Sequence, residues 1–264
     1  MLAMASTPRP VMLGACGGFS RAFKKNEDVF STLEATIGAD VCFLTLVADG
    51  HGGAAASGYV MQHLLPLVVS TAVGGSAEQL HDAVVFAFRT MHEQIRELDT
   101  DSGSTVTVCC VNATRAEVSA WNAGDSLVVL IDWGGHVMFS QSHRLEENPE
   151  EQARITALGA RLGRARNSRG TEAGPMRAWP GGLAVTRGVG DADCGSIVTP
   201  EPSYSRCHAP PSGGAIVACT DGVWDKLSTE EVTHVPQQLC ITAETPDHRT
   251  ILNPGRRNSS HRQV

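Results

Sequence analysis

The chain has 264 residues, 42% of them hydrophobic, enough to bury one sizeable core and too little for two ordinary large domains. Its 28 acidic and 21 basic residues leave a formal charge of -7 and a pI near 5.8. That balance excludes a general nucleic-acid or membrane-surface binder, because no basic excess exists to neutralise phosphates.

No uninterrupted apolar run approaches the roughly 20 residues that a bilayer span requires. The start, Met1-Leu2-Ala3-Met4-Ala5-Ser6, lacks a charged lead into a long apolar segment. A soluble, intracellular protein is expected, cytoplasmic with the nucleus also open, and monomeric. Among eight cysteines no C-x-x-C pair occurs and most lie in apolar runs, so reduced core thiols are expected rather than zinc ligands or disulfides.

In chain order, the apolar run 41–48 reads as a strand. Ser76 can cap a helix to about Leu98, in which Leu80, Val84, Phe88, Met91 and Ile95 recur at helical spacing. Strands are expected at 104–112, 117–121 and 126–132. The last two, separated by Asn122-Ala123-Gly124-Asp125, predict an antiparallel hairpin in a well-buried sheet.

After Asn148, Pro149 opens a second helix that Gly159 closes. Residues 160–182, rich in Gly and Arg, predict a surface loop or flap. A further strand fits 215–220, and 253–264, rich in Arg, Asn and Ser, a disordered tail. No internal repeat is present. Successive strands without intervening helices exclude a Rossmann fold, and the order of elements predicts an α+β sandwich in one domain over 1–252.

The chemistry concentrates at strand ends. Asp49 follows an apolar strand and precedes Gly50-His51-Gly52-Gly53, so a carboxylate arrives where the backbone can turn sharply and the Gly50 carbonyl can approach a hard cation. A second junction, Asp221-Gly222-Val223-Trp224-Asp225, again follows an apolar strand. Asn26-Glu27-Asp28 supplies a third acidic element. Carboxylates brought together in this way repel one another unless cations compensate them. Taken alone, each of these could be a simple turn or capped loop.

The sequence resembles the metal-dependent protein phosphatase 2C family, with motifs in the family's order from about Asn26 to Glu231. They are Asn26-Glu27-Asp28, Asp49-Gly50-His51-Gly52-Gly53, Gly103-Ser104-Thr105, Asn122-Ala123-Gly124-Asp125-Ser126, Gly182 to Asp191, and Asp221-Gly222-Val223-Trp224-Asp225. The resemblance implies an αββα sandwich whose two central antiparallel sheets hold two Mg²⁺ or Mn²⁺ ions at one end. It also implies hydrolysis of phosphoserine and phosphothreonine in proteins by a water that bridges the ions.

By the same resemblance Asp49 bridges both metals, Gly50 offers its carbonyl, Asp221 holds the first metal, and Glu27 and Asp28 act through waters. His51 is the general acid. Asp101, or less readily Asp99, resembles the position of a weak third ion in some relatives, although an exposed acidic loop is the stronger reading there. Gly103-Ser104-Thr105 and Gly124-Asp125-Ser126 are read as structural, and Arg187 with Asp191 as a buried ion pair supporting the site.

Two departures from the family pattern stand out. Phe23 occupies the position where the family places a phosphate-gripping arginine, which leaves Arg21, Lys24 and Lys25 as substitutes. After Asp225 the long helix and Asp-Asn-x-Thr strand of relatives are shortened, with Asp247 as the equivalent aspartate and His248 in place of the asparagine. A binding-only pseudophosphatase, a truncated product of a longer phosphatase, and a hydrolase of small phosphate esters remain as alternatives.

Overall fold

The computed structural model describes residues 27–98, 100–133, 137–228 and 230–232. In chain order the elements are β1 (Val29–Ile37), β2 (Asp40–Ala48), β3 (Gly50–His51), α1 (Ala55–Thr71), α2 (Ala77–Arg96), β4 (Gly103–Ser104), β5 (Val106–Asn112), β6 (Glu117–Ala123), β7 (Leu127–Asp132) and β8 (Val137–Phe139). There follow α3 (Pro149–Ala157), β9 (Arg161–Arg166), β10 (Glu172–Trp179), β11 (Val189–Gly190), β12 (Ser203–His208), β13 (Gly214–Cys219) and the single turn α4 (Asp221–Trp224).

The main sheet has five antiparallel strands in the order β1-β2-β5-β6-β12. A second antiparallel sheet, β13-β7-β8, lies on one of its faces, while α1 and α2 cover the other. Strand β5 shows why its sequence reads as an unbroken apolar run. Val106, Val108 and Cys110 face the helices with Leu64, Phe88 and Met91, and Cys109 and Val111 face the second sheet with Val128, Ile216 and Ala218. Each fully buried Leu or Phe in these layers contributes about 2 kcal/mol.

Helix α2 forms as its spacing predicts, and the Ser76 hydroxyl accepts the Gln79 N–H at 3.3 Å. The Asn148 side chain likewise caps α3, accepting from the Glu151 N–H at 3.1 Å, with Pro149 in the first turn. Helix α1 has no counterpart among the sequence-based elements. It carries Pro66 in its interior and is apolar nearly all round, so its buried positions Ala56, Val60, Leu64 and Val68 do not stand out against a polar face.

The expected hairpin between 117–121 and 127–131 does not form. β6 pairs with β5 and β12, and β7 with β8 and β13, so the turn 122–125 carries the chain from one sheet to the other. Gly124, at φ 138°, allows that crossing. The Asn122 amide locks it, accepting from the Thr107 hydroxyl and donating to the carbonyls of Gly124 and Gln141.

The flap at 160–182 is a β-hairpin, β9–β10, seated on a separate cluster with Leu145, Ile155 and Ile197. The six cysteines within the described residues are free thiols. The tail 253–264 and the shortened C-terminal helix and strand lie outside the described residues.

Candidate metal centre

Asp49 directly follows β2, and its backbone is pinned to the junction of β4 and β5. Its N–H donates to Thr105 Oγ1 (3.2 Å), and its carbonyl accepts from the Thr105 N–H (2.9 Å) and the Ser104 hydroxyl (3.2 Å). Glu27 straps the following loop: its carbonyl accepts the Gly50 N–H (3.3 Å) and its carboxylate the Gly53 N–H (2.8 Å). Asp28 accepts from the Thr220 hydroxyl (3.1 Å), next to Asp221 at the start of α4. The three acidic elements therefore converge.

Convergence has an electrostatic consequence. Burial, the charges of Asp28 and Asp221, a hydrogen bond with the Asp221 carboxyl, and the charge of Asp125 together push the Asp49 carboxyl up to about 8. Burial and Asp221 also raise Asp125, despite its contact with Arg144. The Arg144 guanidinium spans the cluster, donating from Nε to Asp125 (3.1 Å), from Nη2 to Asp221 (2.8 Å) and from Nη1 to Asp225 (2.5 Å).

A donor set made only of carboxylate and carbonyl oxygens, with one carboxyl kept protonated by its neighbours, is what a hard divalent cation would relieve. The residues present fit Mg²⁺ or Mn²⁺.

His51 lies beside this cluster. In the small sheet β11-β4-β3, His51 pairs with Gly103 and Gly103 with Gly190, which places Asp191 across β4 from His51. Gly103 has to be glycine, because a Cβ there would overlap the Asp191 carboxylate. His51 Nε2 and Asp191 Oδ1 are 2.6 Å apart. Burial works against a charged imidazole, but the Asp191 bond and charge, with Glu27 and Asp125 beyond, hold His51 above its ordinary range. His51 is 33% exposed and Asp191 only 4%, so the imidazole alone can meet a substrate.

The family profile described as protein phosphatase 2C matches residues 14–248. The chain belongs to the protein phosphatase 2C family. A probable protein phosphatase 2C of Arabidopsis thaliana, number 5, is 37% identical over 190 residues, covering 70% of this chain and 44% of the relative. Number 69 of Oryza sativa subsp. japonica is 32% identical over 235 residues, covering 84% and 54%. The chain thus spans about half the length of the curated relatives it matches.

Among solved structures, serine-threonine phosphatase 2C from Toxoplasma gondii aligns with a TM-score of 0.61 at 17% identity, covering 83% of this chain and 86% of that one. A C. elegans sex determining protein aligns at 0.64 with 18% identity, covering 81% and 56%. These likenesses are of fold.

Within the phosphatase 2C fold, the expected Arg187–Asp191 pair is replaced by two others. Asp191 turns to His51, while Arg187 donates to Glu151 Oε1 from Nε (2.9 Å) and Nη2 (2.6 Å). Glu151 is buried in α3 and shares its two oxygens, Oε2 taking two bonds from Arg154 and Oε1 the two from Arg187.

Asp101 is exposed, its carbonyl beside the backbone of Gly52. Arg21, Lys24, Lys25, Asp99 and Asp247 lie outside the described residues. Sequence reasoning read Asp125 as structural and did not single out Arg144. Asp125 carried a signal, since it too stands at a glycine beside an apolar strand. Arg144 carried none, because its role depends on a backbone path that ties 141–144 to the 122–125 turn.

Proposed function

We propose that this chain carries the catalytic domain, up to about residue 252, of a Mg²⁺- or Mn²⁺-dependent phosphatase acting on phosphoserine and phosphothreonine in proteins, as a monomer in the cytoplasm or nucleus. The observation that carries the reading is the convergence of Asp28, Asp49, Asp125 and Asp221 beside a part-exposed histidine held by Asp191, a crowding that pushes the Asp49 carboxyl up to about 8. Family membership and the names of the curated relatives support it.

Asp49 and Asp221 would hold two divalent ions, with the Gly50 carbonyl beside them and Glu27 and Asp28 acting through waters. Such ions neutralise phosphate oxygens and lower the pKa of a bound water. The chain's own residues then do the rest. Asp191 orients the imidazole and favours its charged form, so His51 can hand a proton from its solvent-facing edge to the departing seryl or threonyl oxygen. Asp191 itself is too buried to touch substrate and acts as a positioning residue.

An open surface suits protein substrates better than small esters. Among the described residues no helix is long and apolar enough to cross a membrane. The hairpin β9–β10 is largely exposed, with Arg166 and Arg169 toward its tip, and its other arginines are engaged. Arg164 pairs with Glu146, Arg177 donates to the Gly182 carbonyl (2.6 Å), and Arg161 lies over the Trp179 ring. Free guanidiniums of this kind suit phosphorylated chains.

The test is Mn²⁺-dependent phosphate release from a phosphothreonine peptide, with Asp49→Asn as control. A loss of at least roughly 100-fold in the variant is expected. Equal turnover in Asp49→Asn, or turnover that survives chelation, would sink the reading. A folded protein without turnover in excess Mn²⁺ would favour a binding-only role.

A further inference from the structure

The Arg144 guanidinium uses a different nitrogen on each of three carboxylates, and one of them, Asp221, stands at the start of α4 beside Thr220, whose hydroxyl donates to Asp28. Its placement is set by the backbone rather than by a chance rotamer. The His143 N–H donates to the Gly124 carbonyl (2.9 Å), the Gly124 N–H to His143 Nδ1 (3.2 Å), and the Leu145 N–H to the Ala184 carbonyl (3.0 Å), so Arg144 is fixed on both sides. Buried His143, pushed down to about 4 first by burial and then by Arg187, stays neutral and keeps accepting that bond.

A fixed cation in contact with a metal-ligand candidate must compete with any ion that needs the same oxygen. We propose that Arg144 is a built-in counter-ion that holds Asp221, Asp125 and Asp225 together in the ion-free protein and yields Asp221 to the divalent cation on binding, so that Arg144 sets how tightly the centre takes its metal. The inference rests on the metal-centre reading above and adds a regulator to it. Divalent affinity is lower than the aspartates alone would give, and the ion-free site is kept assembled instead of splayed by repulsion.

The experiment is calorimetric titration of Mn²⁺ into wild type, Arg144→Gln and Arg144→Lys, with melting temperatures measured in chelator and in saturating Mn²⁺. Arg144→Gln removes the charge, shortens the side chain and leaves two N–H donors of five. It should bind Mn²⁺ roughly tenfold more tightly, melt lower than wild type in chelator, and show a larger rise with Mn²⁺. Arg144→Lys keeps the charge but not the fork, and its affinity should stay near that of wild type.

Equal or weaker binding by Arg144→Gln overturns the counter-ion role while leaving the metal centre in place. Absence of any binding by folded wild type, or heat that persists in Asp49→Asn, removes the metal reading itself, and the inference with it.

Discussion

Around Glu151 the fold sets two guanidiniums, Arg154 and Arg187, on one buried carboxylate, whereas around Asp49 it sets Asp28, Asp49, Asp125, Asp221 and Asp225 against one guanidinium among the described residues, that of Arg144. Both clusters are partly withdrawn from water, yet they respond in opposite ways. Burial favours the neutral form of Glu151, but Arg187 and Arg154 outweigh it and hold the carboxyl below its usual range. Asp49 is pushed far above that range. The first cluster is completed by its own chain and serves the fold by tying α3 to the segment leading into β11. Among the described residues the second is left short of positive charge, beside the part-exposed His51.

The largest expected effect comes from breaking the completed cluster. Glu151→Ala leaves Arg154 and Arg187 without their carboxylate and should cost about 3 kcal/mol of stability in urea unfolding. Because the folded value of Glu151 is lowered, its contribution is present above the unfolded value near 4.5 and is lost as pH falls through the folded one. The destabilisation should therefore be full at neutral pH and shrink in acid. A loss below about 1 kcal/mol would mean that the clamp is ornamental.

A smaller effect is expected where the two kinds of site meet. Asp191 is buried and matched by one partner, His51, which itself faces the open cluster. Asp191→Asn should lower turnover about tenfold, as removal of an orienting partner usually does. It should also move the alkaline limb of the pH–rate profile to lower pH, since Asp191 is what favours the charged imidazole. A uniform loss with an unchanged profile would assign Asp191 to structure alone.

Legibility in the sequence followed the same division. Contributions confined to one segment were readable, such as the Ser76 and Asn148 caps, the strand that became β5, and the Asp-Gly junctions at strand ends. The relation of β6 to β7 was not, because a four-residue turn that crosses between sheets looks the same as one that reverses within a sheet. Nor was the partner of Arg187 legible. Glu151 and Asp191 both offered a carboxylate, and only the placement of β4 between His51 and Asp191 decides which is taken. Arg144 was invisible for the same reason: its three carboxylates come from the turn after β6 and from the far end of β13.

The smallest expected effect sharpens the comparison most directly, since it counts a proton. The folded, ion-free chain holds Asp49 at about 8, above the 3.8 of the unfolded group, so between those values the folded state keeps a proton that the unfolded state has lost. Stability of the ion-free protein should therefore fall as pH rises through that window. A divalent ion must displace that proton, so Mg²⁺ binding at pH 7 should release about one proton, and at pH 9 close to none. Apparent affinity should rise by about tenfold per pH unit below 8 and then level off. Calorimetry in buffers of different ionisation heat measures the release. Binding without proton release at pH 7 would mean that Asp49 is already ionised, and that Arg144 balances its cluster as fully as Arg154 and Arg187 balance Glu151.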